Sequence, residues 1–226
     1  MARYAKGEQR RQEILAATVE LISDEGIAAV THRAVAARAG TVASAPSYFF
    51  PSIDELVVEA FRSVMAGMIG DLKALSARIE AEDMARSDAV DAYIDLVRRS
   101  AAEYDKVQFE GYLVAGGRPA LRLAVDEAIA ATHRADSTLV TASRRTDLAW
   151  AAPVLTALAN GFGLYRVASP AAEAADFTGL REGLLALMEG LPHTPGVVSP
   201  MHVAVSRRVT EGTNSPASSR RSGSSS

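Results

Sequence analysis

The chain has 226 residues, of which 48% are hydrophobic and 23% are charged, so it is long enough for one or two globular domains with a buried core. No apolar run approaches the roughly 18 residues that span a bilayer, and no apolar stretch follows the charged N-terminus as in a secretion signal, so we expect a cytoplasmic protein with no membrane partner. The absence of cysteine excludes disulfides, thiolate zinc sites and cysteine-based redox sensing.

The net charge of −3 is unevenly distributed along the chain. Residues 1–11 carry +3, residues 51–193 carry −7 and residues 194–226 carry +3. A basic end on an acidic body is suited to contact with nucleic-acid phosphates, but so small an N-terminal excess is also typical of a solvated helix start. Charge alone leaves both interpretations open.

The first two predicted helices are short. Residues 8–25 place apolar side chains at helical spacing, and Gly26 follows as a residue that easily adopts a left-handed C-cap. Thr31 is placed to cap a second helix in the segment THRAVAARAG, which Gly40 ends. The two helices are therefore expected to meet at a tight turn.

A third helix is predicted within the segment TVASAPSYFF. Proline is compatible only with the first turn of a helix, so Pro46 indicates a start near Ser44. The helix must end by Pro51, because proline disfavours helical geometry in the preceding residue. These limits predict about seven residues, or roughly 10 Å of helix.

Nearly everything from residue 52 to about residue 191 is predicted to be helical. Ser52 and Glu55 form a capping box that opens a long fourth helix. Glycine, proline and serine clusters predict breaks near residues 85–87, 116–119, 143–146 and 169–172. No segment alternates as a strand does, so the fold class is all-α. Residues 194–226 are rich in proline, glycine, serine and arginine, and we expect a disordered tail.

Three short helices with a tight turn between the second and third are what a DNA-binding helix-turn-helix requires, although any small helical bundle can supply them. The segments THRAVAARAG and YFFPSIDEL, placed after Gly26 and before a long helix, make residues 8–68 resemble the TetR family. The resemblance implies a DNA-binding transcriptional regulator, typically a repressor. Such a repressor binds a palindromic operator as a homodimer and is released by a small-molecule effector.

The resemblance also divides the chain and implies DNA-contacting residues. Residues 1–51 would form the helix-turn-helix domain, with the motif at 31–50, and residues 52–193 a larger helical domain for ligand binding and dimerisation. The DNA-binding residues would be Thr31, Arg33, Thr41, Ala43, Ser44, Ser47 and Tyr48. Most of these offer hydroxyls and methyl groups, which suit thymine methyls and phosphates better than guanine.

Two positions depart from the family pattern. Ile53 stands where the family commonly has a phosphate-contacting lysine, and Pro46 stands where an aliphatic core residue is usual. We therefore expect the electrostatic contribution to come from Arg33 and from the basic side chains of the N-terminal arm, which are Arg3, Lys6, Arg10 and Arg11.

The resemblance extends to the helical body through length and layout. The last two helices, near residues 146–168 and 173–191, would pair with those of a second subunit through the stripe Leu148, Ala151, Leu155, Leu158 and Phe162. The same stripe could instead face its own core. The middle helices would enclose a ligand pocket, and the candidate lining residues are Phe61, Met65, Tyr93, Tyr104, Phe109, Tyr112, Trp150 and Tyr165. Each of these could equally be ordinary core.

Catalytic patterns are not found. The four histidines are dispersed, there is no GxSxG elbow and no P-loop, and the glycines at Gly111, Gly116 and Gly117 are typical of a helix break. We therefore expect no enzymatic activity, no metal and no cofactor. The alternative function is a helical adaptor that does not bind DNA.

Overall fold

A computed structural model describes residues 2–99, 102–142, 151–169 and 173–190. These residues contain nine α-helices and no strand: α1 Ala2–Glu25, α2 His32–Arg38, α3 Ala45–Phe49, α4 Ile53–Glu82, α5 Arg86–Arg99, α6 Ala102–Val114, α7 Pro119–Ala142, α8 Ala152–Ala168 and α9 Glu173–Gly190. All described residues belong to one compact unit, Met1–His193. No helix in these ranges is long and apolar enough to cross a membrane. The predicted tail, residues 194–226, lies outside the described residues.

The N-terminal helices end and begin at the residues that the sequence indicates. Gly26, with φ +85°, follows α1, and Thr31 caps α2 by accepting a hydrogen bond from the backbone N–H of Ala34 at 3.1 Å. Ser52 caps α4 in the same way, accepting from the N–H of Glu55 at 3.0 Å. The predicted start of the first helix at residue 8 is wrong, since α1 already begins at Ala2. The segment before residue 8 contains good helix formers such as alanine, arginine and lysine.

Helix α3 is shorter than predicted. It covers the five residues Ala45–Phe49, because Phe50 already has an extended backbone with φ −134°. Pro46 lies in the first turn, as its missing N–H requires, and its ring is buried. Pro46 therefore occupies the buried position that an aliphatic residue usually fills, and it does so without interrupting the helix.

Two clusters of buried side chains hold the helices together. The first joins the N-terminal helices to the first half of α4 and to α6 and α7, around Phe50, Leu56 and Phe61. The second joins the rest of α4 to α5, α7, α8 and α9, around Ile79, Tyr93 and Leu180. Helix α4 runs through both clusters, so it connects the helix-turn-helix to the helical body.

The structure shows two of the predicted breaks in the helical body. The expected breaks near residues 85–87 and 116–119 are confirmed, since α4 ends before Asp83 and a 3₁₀ turn, Ala115–Gly117, precedes α7. Gly111 was predicted to help break a helix, and this is wrong, because it lies inside α6.

Candidate DNA-binding surface and ligand cavity

The second and third helices present one polar face to solvent. Tyr48 is 81% exposed and Val42 69% exposed, while Pro46 and Phe50 of the same segment are buried. The ring of Tyr48 packs edge-on against Phe49, with centroids 5.1 Å apart, which orients the tyrosine. The predicted DNA-contacting residues share this region. Thr31, Arg33, Ala43, Ser44, Ser47 and Tyr48 are exposed and Thr41 is half-buried.

Hydrogen bonds fix part of this face. The Ser47 hydroxyl donates to the backbone oxygen of Ser44 at 3.0 Å, so its oxygen remains available as an acceptor. His32 contacts the backbone oxygen of Phe50 through Nε2 at 2.9 Å and ties the start of α2 to the end of α3. The turn and both helices are therefore held as one unit, as a surface that reads base edges requires.

Many basic side chains near this face are already paired within the protein. Arg10 contacts Glu13 at 2.9 Å, and Arg11 contacts Glu59 at 3.0 Å with its guanidinium 5.0 Å from the Phe50 ring centroid. Arg38 donates to Asp24 at 2.7 Å, and this hydrogen bond is the main reason that its pKa is raised. In the described part of the chain, Arg33 is exposed and forms no ion pair. The side chain of Arg3 lies outside the described residues.

A cavity of about 440 Å³ lies among α4, α5, α6, α7 and α8. Its volume is within the usual range for small-molecule sites. The lining includes the apolar Met68, the aromatic residues Tyr93, Tyr104 and Phe109, and the polar residues Asp71, Asp105, Gln108, Asp136, Thr156 and Asn160.

Only part of the predicted pocket set lines this cavity. Tyr93, Tyr104 and Phe109 are among its lining residues. The remaining candidates lie elsewhere, for packing reasons. Phe61 and Met65 are buried in the first core cluster, Tyr112 packs against that cluster, and Tyr165 is 61% exposed on α8. Trp150 lies outside the described residues.

The most unusual lining residue, Asp136, was not among the predicted pocket residues. It is only 1% exposed, and one carboxylate oxygen accepts a hydrogen bond from the hydroxyl of Thr156. Burial raises the pKa of Asp136 to about 6, and the Thr156 hydrogen bond opposes this shift. A signal was present, because Asp136 lies one turn after Thr132, on the apolar stripe of α7.

The predicted dimer stripe faces inward. Ala151 and Leu155 are buried in the second core cluster, and Leu158 and Phe162 pack against it. The physical reason is the rotation of the helix about its own axis, which directs these residues toward the buried side chains of α5, α7 and α9 of the same chain. Leu148 lies outside the described residues. The neighbouring stripe of α8 faces outward instead and consists of Val154, Ala157, Gly161, Leu164, Tyr165 and Ala168.

Helix α6 contacts both the cavity and the helix-turn-helix. Asp105, Gln108 and Phe109 line the cavity. On the same helix, Glu110 accepts a hydrogen bond from the N–H of Ile27 at 2.7 Å, and Lys106 donates to the backbone oxygen of Ser23 at 3.3 Å. The end of α1 and the turn after it are therefore anchored to a cavity-lining helix.

Known proteins resemble this chain both in its N-terminal segment and in its helical fold. Residues 14–60 match the family of bacterial regulatory proteins called the tetR family. A transcriptional regulator from Streptomyces coelicolor A3(2) is 29% identical, with a TM-score of 0.61 over 80% of this chain and 99% of its own. The multidrug binding protein EbrR, in complex with proflavin, is 28% identical, with a TM-score of 0.56 over 79% of this chain and 99% of its own.

A TetR-family transcriptional regulator from Rhodococcus sp. shares the fold at 19% identity, with a TM-score of 0.66 over 80% of this chain and 99% of its own. No curated protein matches the sequence. The matched segment 14–60 contains α2 and α3 and the polar face that they present. Residues 14–60 thus match the tetR family of bacterial regulatory proteins, and the chain shares its all-helical fold with transcriptional regulators of known structure.

Proposed function

We propose that this protein is a repressor that binds a palindromic operator as a homodimer and is released by a small molecule. The observation that carries the proposal is the exposed face of the helix-turn-helix. Tyr48 and Val42 are large apolar or aromatic side chains that are exposed on this face, while Pro46 and Phe50 on the opposite side of the same segment are buried. A face of this kind suits insertion into the major groove.

The exposed face of the helix-turn-helix offers mainly uncharged groups for the recognition of DNA. Ser44, Ser47 and Tyr48 offer hydroxyls to phosphates and base edges, and Val42 and Ala43 offer apolar contact to thymine methyls. Arg33 at the start of α2 supplies positive charge beside the N–H groups at the start of that helix. Since Arg10 and Arg11 are paired with carboxylates, we expect Arg33 and Lys6 to contribute more to phosphate contact than Arg10 and Arg11 do.

Selection of duplexes from a random library tests DNA binding directly. We expect the wild-type protein to enrich an inverted repeat and to bind it less tightly as salt rises. Arg33→Ala should weaken binding by about tenfold on all sequences and reduce the salt slope by about one, because it removes a phosphate contact. Tyr48→Phe should weaken binding through loss of its hydroxyl.

Arg122→Ala is the matched control, because Arg122 is an exposed arginine on α7, away from the helix-turn-helix. This variant should bind DNA as the wild type does. Enrichment of no sequence by the folded protein would refute operator binding and favour the adaptor function.

The outward stripe of α8 supports the homodimer. Apart from Tyr165, its members follow alternating spacings of three and four residues, which is the spacing found where two helices pair. Leu164 is 47% exposed and Tyr165 61% exposed. On α9, Gly179 and Gly183 have open space where a side chain would be, so a second pair of helices could approach closely. We propose this stripe as the interface in place of the inward one.

If the protein dimerises through α8, a charged residue introduced on this helix should weaken the dimer, whereas the same change on α7 should not. Leu164→Glu should place a carboxylate in the interface and weaken self-association at least tenfold, by about 1.4 kcal/mol or more. Leu123→Glu is the control, since Leu123 is 60% exposed on α7. Sedimentation velocity should detect monomers for the first variant and dimers for the second. A dimeric Leu164→Glu protein would contradict the proposed interface.

The cavity and α6 support ligand responsiveness. EbrR, at 28% identity, is described in complex with proflavin, and the cavity of this chain is large enough for a ligand of that size. A ligand that displaces Asp105, Gln108 or Phe109 would also move Glu110 and its hydrogen bond to Ile27. Coupling of this kind lowers DNA affinity if the ligand favours a different position of α6.

A further inference from the structure

Asp136 leaves one hydrogen-bond acceptor unused inside the cavity. Its side chain is 1% exposed, and Thr156 donates its hydroxyl hydrogen to one carboxylate oxygen. The other oxygen, Oδ1, is buried and has no hydrogen-bond partner among the described residues. A buried carboxylate without full pairing is costly, so its presence in a cavity wall indicates a partner that arrives with a ligand.

The remaining charges of the cavity do not neutralise Asp136. Asp105 is paired with the buried Arg166, which also donates to the backbone oxygen of Val97 at 2.8 Å. Arg99, the basic residue in the described lining, is exposed and donates through Nε to the backbone oxygen of Asp95 at 3.1 Å. The cavity therefore has an excess of negative charge, which favours a cation.

The aromatic residues favour a cation of a particular shape. Tyr93 lines the cavity near Asp136, since the Asp136 charge contributes to the raised pKa of Tyr93 after the effect of burial. Tyr104 and Phe109 add two more rings from α6. Aromatic faces attract organic cations and pack against flat apolar ligands.

We infer that the effector of this protein is a flat aromatic cation whose N–H group donates a hydrogen bond to Oδ1 of Asp136. The inference rests on the proposed function for its regulatory meaning, while the binding itself requires only the cavity. Thr156 holds the carboxylate in place and leaves Oδ1 for the ligand. A charge-assisted hydrogen bond in a buried site then selects a cation over a neutral molecule of the same shape.

Affinity for such a cation should depend on pH. Because burial raises the pKa of Asp136 to about 6, the carboxylate becomes protonated as the pH falls through that value, and the ligand loses its anionic partner. The other charged or titratable side chains that line the cavity are Asp71 on α4, Tyr93 and Arg99 on α5, and Tyr104 and Asp105 on α6.

Calorimetric titration of the full chain with two acridines tests the inference. The probes are 9-aminoacridine, which is a cation at about pH 8, and 9-methylacridine, which is neutral there. We expect the wild type to bind 9-aminoacridine at least about tenfold more tightly than 9-methylacridine. Asp136→Asn should lose this preference, with affinity for the neutral probe unchanged. Asp126→Asn, which removes an exposed carboxylate from the same helix, should behave as the wild type.

Three results would overturn the inference: no binding of 9-aminoacridine to the wild type, equal affinity for the two probes, or equal affinity of the Asp136→Asn and wild-type proteins for the cation. These titrations contain no DNA. Failure of the ligand inference therefore leaves the duplex selection unaffected, and failure of that selection leaves the titrations interpretable.

Discussion

Replacing Gly111 with alanine should destabilise the protein by about 2 kcal/mol, even though alanine favours a helix over glycine by about 1 kcal/mol. A Cβ at Gly111 would lie 2.6 Å from two ring carbons of Phe61. That ring cannot move away cheaply, because Phe61 is 1% exposed in the first core cluster. The close approach of α6 to α4 thus depends on the absence of a side chain at this position.

Gly70→Ala is the matched control. Gly70 is also a helical glycine, on α4, but nothing lies within 4 Å of the position of its Cβ. This variant should gain about 0.5–1 kcal/mol from helix propensity alone. Urea denaturation of both variants measures the difference. If Gly111→Ala were as stable as Gly70→Ala, the tight contact between α4 and α6 would be wrong.

Gly111 also matters for function, because of its neighbours on α6. Glu110 bonds to the N–H of Ile27, and Gln108 and Phe109 line the cavity. A helix pushed away from α4 at Gly111 would disturb both contacts. We therefore expect the substitution to weaken the coupling between cavity and helix-turn-helix in addition to its effect on stability.

Local signals predicted the N-terminal elements because each depends on a few neighbouring residues. Thr31 and Ser52 cap helices through backbone N–H groups three positions away, and Pro46 fixes the first turn of α3 through its own ring. The sequence also predicted the all-helical fold, since apolar spacing is a property of each helix alone.

Features that depend on residues far apart in the sequence could not be predicted from the sequence. Gly111 resembles a helix breaker until Phe61, fifty residues away in sequence, is known to occupy the space beside it. The stripe containing Leu155 and the stripe containing Leu164 are both apolar, and only the packing of α8 against α5, α7 and α9 decides which one is buried. Arg11 and Glu59 illustrate the same limit for charge, because their ion pair joins α1 to α4.

Asp136→Asn should stabilise the protein by up to about 3 kcal/mol at neutral pH, which is the second large effect that we expect. The pKa of this carboxyl rises from 3.8 to about 6 on folding, and each unit corresponds to about 1.4 kcal/mol. A raised pKa means that the folded state binds the proton more tightly than the unfolded state. Stability from this group is therefore fully present below about pH 4 and is lost as the pH rises through about 6.

The stabilisation by asparagine should follow that pH window. It should be absent near pH 4 and complete above about pH 7, because only the ionised wild-type side chain is penalised by burial. Denaturant unfolding of the wild type, Asp136→Asn and the exposed control Asp126→Asn across this range provides the measurement. A pH-independent difference between wild type and Asp136→Asn would mean that the effect comes from packing and not from the charge.

A stabilising Asp136→Asn substitution that also abolishes cation selectivity would explain why a costly carboxylate stands in this cavity. Selection for ligand recognition can retain a residue that the fold alone disfavours. The ligand supplies the donor that Oδ1 lacks, so the free protein bears a desolvation cost that the complex removes. Binding of an aromatic cation should then raise the melting temperature of the wild type more than that of Asp136→Asn, although the unliganded variant is the more stable protein.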